Sequence, residues 1–68
     1  MIQAHIVMAN ESYNIDIDHL VGSVNEGTQY MLKLLLTEDW IVGTDSVDYE
    51  TSHILATKAI ESITVRNV

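Results

Sequence analysis

Residues 2–17, Ile2-Gln3-Ala4-His5-Ile6-Val7-Met8-Ala9-Asn10-Glu11-Ser12-Tyr13-Asn14-Ile15-Asp16-Ile17, decide between an α+β and an all-helical reading of this chain. Ile2, Ala4 and Ile6 fall on one side of a loose alternation, and Tyr13, Ile15 and Ile17 alternate with Asn14, Asp16 and Asp18. Successive side chains of a strand point to opposite faces, so a period of two describes a strand with one buried side. Between the two runs, Ala9-Asn10-Glu11-Ser12 supplies polar turn chemistry, and the simplest reading is a β-hairpin. A rival pattern overlaps its end: Ile17, Leu20, Val21 and Val24 stand at i, i+3, i+4 and i+7, the face of a short helix that Asp16 or Asp18 could cap. The expectation is strand as far as Ile17, then a helical turn.

Downstream, Ser23 followed three residues later by Glu26 forms a capping box ahead of an apolar run, which predicts a helix over Val24 to Thr37. Its second half, Tyr30-Met31-Leu32-Lys33-Leu34-Leu35-Leu36, is apolar on nearly every side, whereas a helix on the surface of a small domain carries a polar stripe. That helix is therefore central or shared with another chain, and Met31, Leu32, Leu35 and Leu36 are the expected contacts of a homodimer. Trp40-Ile41-Val42 is a short β-prone run closed by Gly43, a residue able to take a positive φ at a turn. Thr44 to Asp48 offers several N-cap candidates, and Val47, Ile54, Leu55, Ala59 and Ile60 continue at helical spacing, which predicts a second helix over Val47 to Glu61. The β-branched Ile63-Thr64-Val65 is expected to pair as a strand with the amino-terminal segment. The resulting expectation is a single α+β domain over residues 1–68, two main helices packed on a small antiparallel sheet, with an all-α helical bundle as the alternative.

Ten carboxylates against three cations give a formal net charge of −7, and the basic residues are only Lys33, Lys58 and Arg66. Such a field repels phosphate backbones and attracts basic protein surfaces, so direct binding of nucleic acid is not expected. A hydrophobic fraction of 47% is high enough for a folded core and argues against the disorder that acidity alone would suggest. A chain of 68 residues buries only about 60% of the surface its unfolded form exposes, and domains of that size commonly add disulfides, a metal or self-association. The absence of cysteine removes disulfides and thiolate zinc sites. No apolar run approaches the roughly 20 residues of a membrane span, and no basic start precedes an apolar stretch, so the expected compartment is the cytoplasm.

No constellation points to catalysis or to a cofactor. Asn14, Asp16 and Asp18 have the spacing of the first calcium-loop ligands, but His19 stands where the sharp turn requires glycine and Asn25 where the bidentate glutamate belongs. Glu50-Thr51-Ser52-His53 has the Glu-x-x-His spacing of di-iron helices, which need two such motifs and two further glutamates. His5, His19 and His53 lack the oriented nucleophile and oxyanion pocket of a hydrolase, and each reads as a partly exposed polar residue. What stands out is the stretch from Glu38 to Glu50, in which Glu38, Asp39, Asp45, Asp48 and Glu50 surround Trp40 with no intervening cation. Tryptophan beside charge is a frequent composition for an interface anchor with an electrostatic rim. These six residues are the expected partner-binding set, and the expected function is that of a non-enzymatic protein-binding module.

The order Tyr13, Leu20-Val21-Gly22-Ser23, Leu34-Leu35, Val42 and Thr44-Asp45, in a small, acidic, cysteine-free chain without a catalytic motif, resembles small phage-encoded type I-E anti-CRISPR proteins over half of its length. The resemblance implies an inhibitor that binds a subunit of a host nucleoprotein complex and blocks its nucleic-acid site. It carries over no individual functional residue. The alternative function is a small structural or regulatory homo-oligomer assembled through the apolar helix, its charge serving solubility.

Overall fold

Two antiparallel hairpins, a fifth strand and one helix make up the chain, in a computed structural model that describes all 68 residues. The order is β1 (Ile2–Met8), β2 (Glu11–Asp16), α1 (Val24–Thr37), β3 (Trp40–Thr44), β4 (Ser52–Ala56), a 3-10 turn at Thr57–Ala59 and β5 (Ile60–Asn67). The fold is mixed α+β and not an all-helical bundle.

β1 pairs with β2 in the register Ala4 opposite Ile15 and Ile6 opposite Tyr13. On its other side β1 pairs with β5, with Ala4 opposite Val65 and Ile6 opposite Ile63, so the sheet order is β2-β1-β5. The carboxy-terminal strand therefore joins the amino-terminal segment as the β-branched run predicts. Because pairing is in phase, Ile2, Ala4, Ile6, Ile15 and Ile17 converge on one face and are buried, with Ile63 and Val65 half-buried beside them. Gln3, His5, Asn14, Thr64 and Arg66 occupy the opposite, polar face. After β2 the chain makes one turn, in which the amides of Leu20 and Val21 both donate to the Ile17 carbonyl.

Helix α1 covers the apolar face. The Ser23 hydroxyl accepts from the Glu26 amide at 3.1 Å, and the Glu26 carboxylate reaches back to the Gly22 amide at 3.3 Å, one residue before the usual partner of a capping box. Gly27 allows a close approach: a Cβ there would lie 2.8 Å from Val65 Cγ1 and 3.2 Å from Ile17 Cδ1. One turn on, Met31 is buried against the sheet.

The expected second helix over Val47 to Glu61 does not form, and these residues build the β3–β4 loop, β4, the 3-10 turn and the start of β5. The physical reason lies in how the acids of the loop are used. The Asp45 carboxylate does cap free amides, those of Val47 and Asp48, each at 2.9 Å. The chain then closes on itself, with the Thr51 amide donating to Asp48 O and the Asp45 amide donating to Thr51 O. The caps thus stabilise a tight connection, and β4 returns beside β3 with Ile41 opposite Leu55 and Val42 opposite Ile54. Only one main helix remains.

Gly43 also differs from expectation, since no glycine in the chain has a positive φ. It is an ordinary strand residue at a point of close packing: a Cβ there would stand 2.3 Å from Ile15 Cγ2. An Ile15–Asp45 bridge and a 2.9 Å bond from the Ser46 amide to Asn14 O fasten the second hairpin to β2. No helix is long and apolar enough to cross a membrane.

Candidate interaction surface

Strand alternation gives the β3–β4 hairpin two unlike faces. Ile41 and Leu55 point into the core and are buried, while Trp40, Val42 and Ile54 lie on the other face and are 58%, 66% and 67% exposed. Val42 and Ile54 are directly opposite each other, and Trp40 is opposite Ala56. They form an apolar strip, and no layer of the chain covers it. Trp40, expected as an anchor, is thus at the surface.

The acidic segment is not one cluster. Glu38 and Asp39 precede Trp40 at one end of β3, and Asp45, Asp48 and Glu50 lie in the loop at the other end. A strand rises about 3.3 Å per residue, so the four steps from Trp40 to Thr44 hold the two groups roughly 13 Å apart. The strip therefore carries negative charge at both ends. Glu38, Asp39, Asp48 and Glu50 are exposed, and none of them contacts a basic side chain, the one carboxylate–imidazole contact being that of Asp45 with His53. Glu38 caps the carboxy terminus of α1, whose last turn contains no basic residue. Acids at the negative end of a helix dipole are locally unfavourable.

Two of the loop acids also hold the loop in shape. Asp45 accepts from the Asp48 and Val47 amides through one oxygen and from His53 Nε2 at 2.8 Å through the other. The Asp48 amide first, then His53 and the Val47 amide, favour the ionised carboxyl and lower its pKa from 3.8 to about 2, against a smaller opposing effect of burial. Asp48 accepts from the Glu50 amide at 3.1 Å and from the Thr51 hydroxyl at 2.7 Å. Replacing either of these two acids would also disturb the loop, whereas Glu38, Asp39 and Glu50 can be changed with less structural consequence.

The histidines are dispersed. His5 Nδ1 is 2.7 Å from Asn14 Oδ1 on the polar face, and His19 is exposed. The His53 ring packs against Tyr13 in a tilted arrangement, with centroids 4.7 Å apart and ring planes at 57°. Tyr13 in turn donates to the Glu11 carboxylate, which raises the phenol pKa, aided by partial desolvation. With the second helix absent, Glu50 and His53 are not on adjacent helical turns, and the partner of His53 is Asp45. Asp16 accepts from the Asp18 amide, and Asp18 accepts from the Ile2 amide at 2.8 Å, so both acids serve the chain reversal after β2. No group of three or more histidine, aspartate or glutamate side chains converges on a common point.

Of the expected dimer contacts, Met31 lies inside the chain's own core, so it is not available to a partner. Leu32 and Leu36 are 49% and 78% exposed, and Leu35 is half-buried. Sequence reasoning missed a cleft of about 210 Å³ between β2, α1 and β3, where Leu20, Tyr30, Leu34, Val42 and Ser52 meet. It also missed Val42 and Ile54 as the centre of the apolar strip. Their β-branched character was visible, but the face they would occupy depended on the unexpected pairing of β3 with β4.

Comparison with protein-family models, with characterised proteins and with solved structures yields no match, and the functional reading rests on this chain's own residues.

Proposed function

We propose that this chain is a non-enzymatic binding module, and that the outer face of the β3–β4 hairpin is its docking surface for a basic region of a host protein or nucleoprotein complex. The observation that carries this reading is the uncovered strip of Trp40, Val42 and Ile54 with carboxylates at both ends. Interfaces typically combine a desolvated apolar centre, often an aromatic, with a polar rim. Here the rim is formed by Glu38 and Asp39 at one end and by Asp45, Asp48 and Glu50 at the other. Two negative groups spaced along a ridge share with a phosphate backbone the sign of their charge, though neither its spacing nor its chemistry, so the proposed target is a basic surface that otherwise holds nucleic acid. In that case the module is an inhibitor of the anti-CRISPR type, acting as a nucleic-acid mimic in the cytoplasm. The acids at the carboxy-terminal end of α1 are consistent with it, because their position does not favour the helix.

The test is affinity capture by the immobilised chain at low salt. Support requires recovery of a basic nucleic-acid-binding complex that is displaced by added DNA or RNA and is lost with a Trp40→Ala, Val42→Ser variant. A charge-reversed Asp39→Lys, Glu50→Lys variant should lower the association rate and flatten its salt dependence. Equal capture by the parent and the strip variant would refute the reading.

A further inference from the structure

Antiparallel strands alternate between residue pairs that exchange both backbone hydrogen bonds and pairs that exchange none. Met1 and Val68 exchange both: the Val68 amide donates to Met1 O, and the Met1 amino group donates to Val68 O, each at 2.8 Å. Counting back along the register of β1 with β5, Arg66, Thr64 and Ser62 direct their backbone groups at β1. Asn67, Val65 and Ile63 therefore direct theirs outward, along an edge to which no strand is paired. The opposite edge of the sheet differs, because Asp45, the residue after β3, is bridged to Ile15 of β2 there.

Exposed edges are usually protected by proline, by lysine or by a bulge. β5 has its bulge at the start, opposite Val7 and Met8, and from Ser62 to Val68 it contains neither proline nor lysine. This stretch also holds no acidic side chain and includes Arg66, in a chain of net charge −7. Beside the edge, Thr28, Met31, Leu32 and Leu35 of α1 form with Ile63 and Val65 an apolar groove without a charged side chain. Two copies meet least electrostatic repulsion here.

We propose that a second copy of this chain adds its β5 antiparallel to this edge, forming a twofold sheet of order β2-β1-β5-β5-β1-β2. A twofold axis perpendicular to the sheet can oppose outward-bonding residues only with outward-bonding residues, which leaves a few registers. With Thr64 on the axis opposite its equivalent, Ile63 faces Val65 of the second copy, and Val65 faces Ile63. Shifting the axis to Ile63 sets Val65 against Glu61, and shifting it to Val65 sets Ile63 against Asn67. Only the Thr64-centred register gives both Ile63 and Val65 an apolar partner and places Ser62, Thr64 and Arg66 together on the polar face. From a strand spacing of about 4.8 Å, the two α1 helices flank the axis roughly 10–14 Å apart, a separation that Leu32 and Leu35 can fill. This assembly does not depend on the hairpin reading, and it leaves both copies' β3–β4 faces open.

The register makes the test specific. Thr64 would be a non-hydrogen-bonded self-pair with Cα atoms about 4.5 Å apart, within the span of a disulfide. The native chain has no cysteine, and Thr64 is exposed on the polar face, so Thr64→Cys introduces one reporter thiol without touching the core. Under mild oxidation the Thr64→Cys protein should form covalent dimers at least roughly tenfold faster than Ser62→Cys. A mixture of Ser62→Cys and Arg66→Cys chains should cross-link where neither does alone. Sedimentation of the unmodified chain should give twice the monomer mass, with affinity rising as salt screens the net charge. A monomer at all concentrations up to roughly 100 µM, or equal cross-linking through residues 62 and 64, would overturn the proposal.

Discussion

Replacing Gly43 with alanine places a Cβ 2.3 Å from Cγ2 and 3.2 Å from Cδ1 of Ile15. Carbon atoms in good contact stand about 3.5–4.0 Å apart, so the first of these distances cannot persist and one side must move. Ile15 has little room to yield. It is 2% exposed, and its β2 backbone is paired to β1 on one side and bridged to Asp45 on the other. Overpacking a core of this kind costs about 1–3 kcal/mol, and the rigidity of Ile15 places Gly43→Ala in the upper part of that range. For a 68-residue domain, whose whole stability is of the order of 3–10 kcal/mol, the loss corresponds to a fall in Tm of roughly 10–20 °C. Ile15→Ala removes both clashing atoms but leaves a cavity, and alone costs about 2–5 kcal/mol. The double variant should be less destabilised than the sum of the two by about 1–2 kcal/mol, because the new methyl partly fills the space left by Ile15. Urea unfolding followed by far-ultraviolet circular dichroism measures all three. A Gly43→Ala protein within about 0.5 kcal/mol of the parent, or strict additivity in the cycle, would refute the close packing of the second hairpin on β2.

Trp40→Ala should cost less than about 1 kcal/mol, against about 3–5 kcal/mol for a buried aromatic, because the indole is more than half exposed; chemical denaturation distinguishes the two. Since the pKa of Asp45 is lowered to about 2 from 3.8, the unfolded chain takes up this proton first on acidification. The stabilisation from this carboxylate is therefore complete above pH 4 and lost as pH falls towards 2, so Asp45→Asn should show a shallower decline of urea midpoint over that interval than the parent. Ser23→Ala should destabilise the domain by about 1 kcal/mol through loss of the α1 cap, seen as a lower urea midpoint at unchanged slope. Titration of labelled DNA or RNA at low salt should show no binding, since three basic side chains leave little scope for counterion release, and sub-micromolar affinity would contradict the charge argument.

The elements legible in the sequence were those whose evidence is local. The two-residue alternation around Ile2 and Ile15, the polar turn between them, the Ser23 cap with Glu26 and the β-branched run at Ile63 are each complete within a few residues. Each of them forms. The segment from Val47 to Glu61 reads as a helix yet forms a loop and strands, because its apolar residues satisfy a helical spacing and a strand pairing about equally, and because an aspartate that caps a helix also caps a loop. Pairing with β3 decides between them, and that pairing depends on Thr51 bonding back to Asp45 and Asp48 and on the contact of His53 with Tyr13.

The candidate surface divides along the same line. Composition alone established the negative field, the absence of thiol chemistry and the singular position of Trp40 among carboxylates, since charge and residue type need no geometry. Tertiary structure decided which face of the second hairpin is uncovered, that Val42 and Ile54 join Trp40 there, that the acids stand at two ends of the strip and that Met31 turns inward. Those outcomes depend on contacts between residues distant in the chain, above all the packing of Ile15 on Gly43. In a strand, a one-residue change of phase exchanges the buried and exposed faces, so exposure of the strip is settled by the packing partner and not by the strip's own sequence.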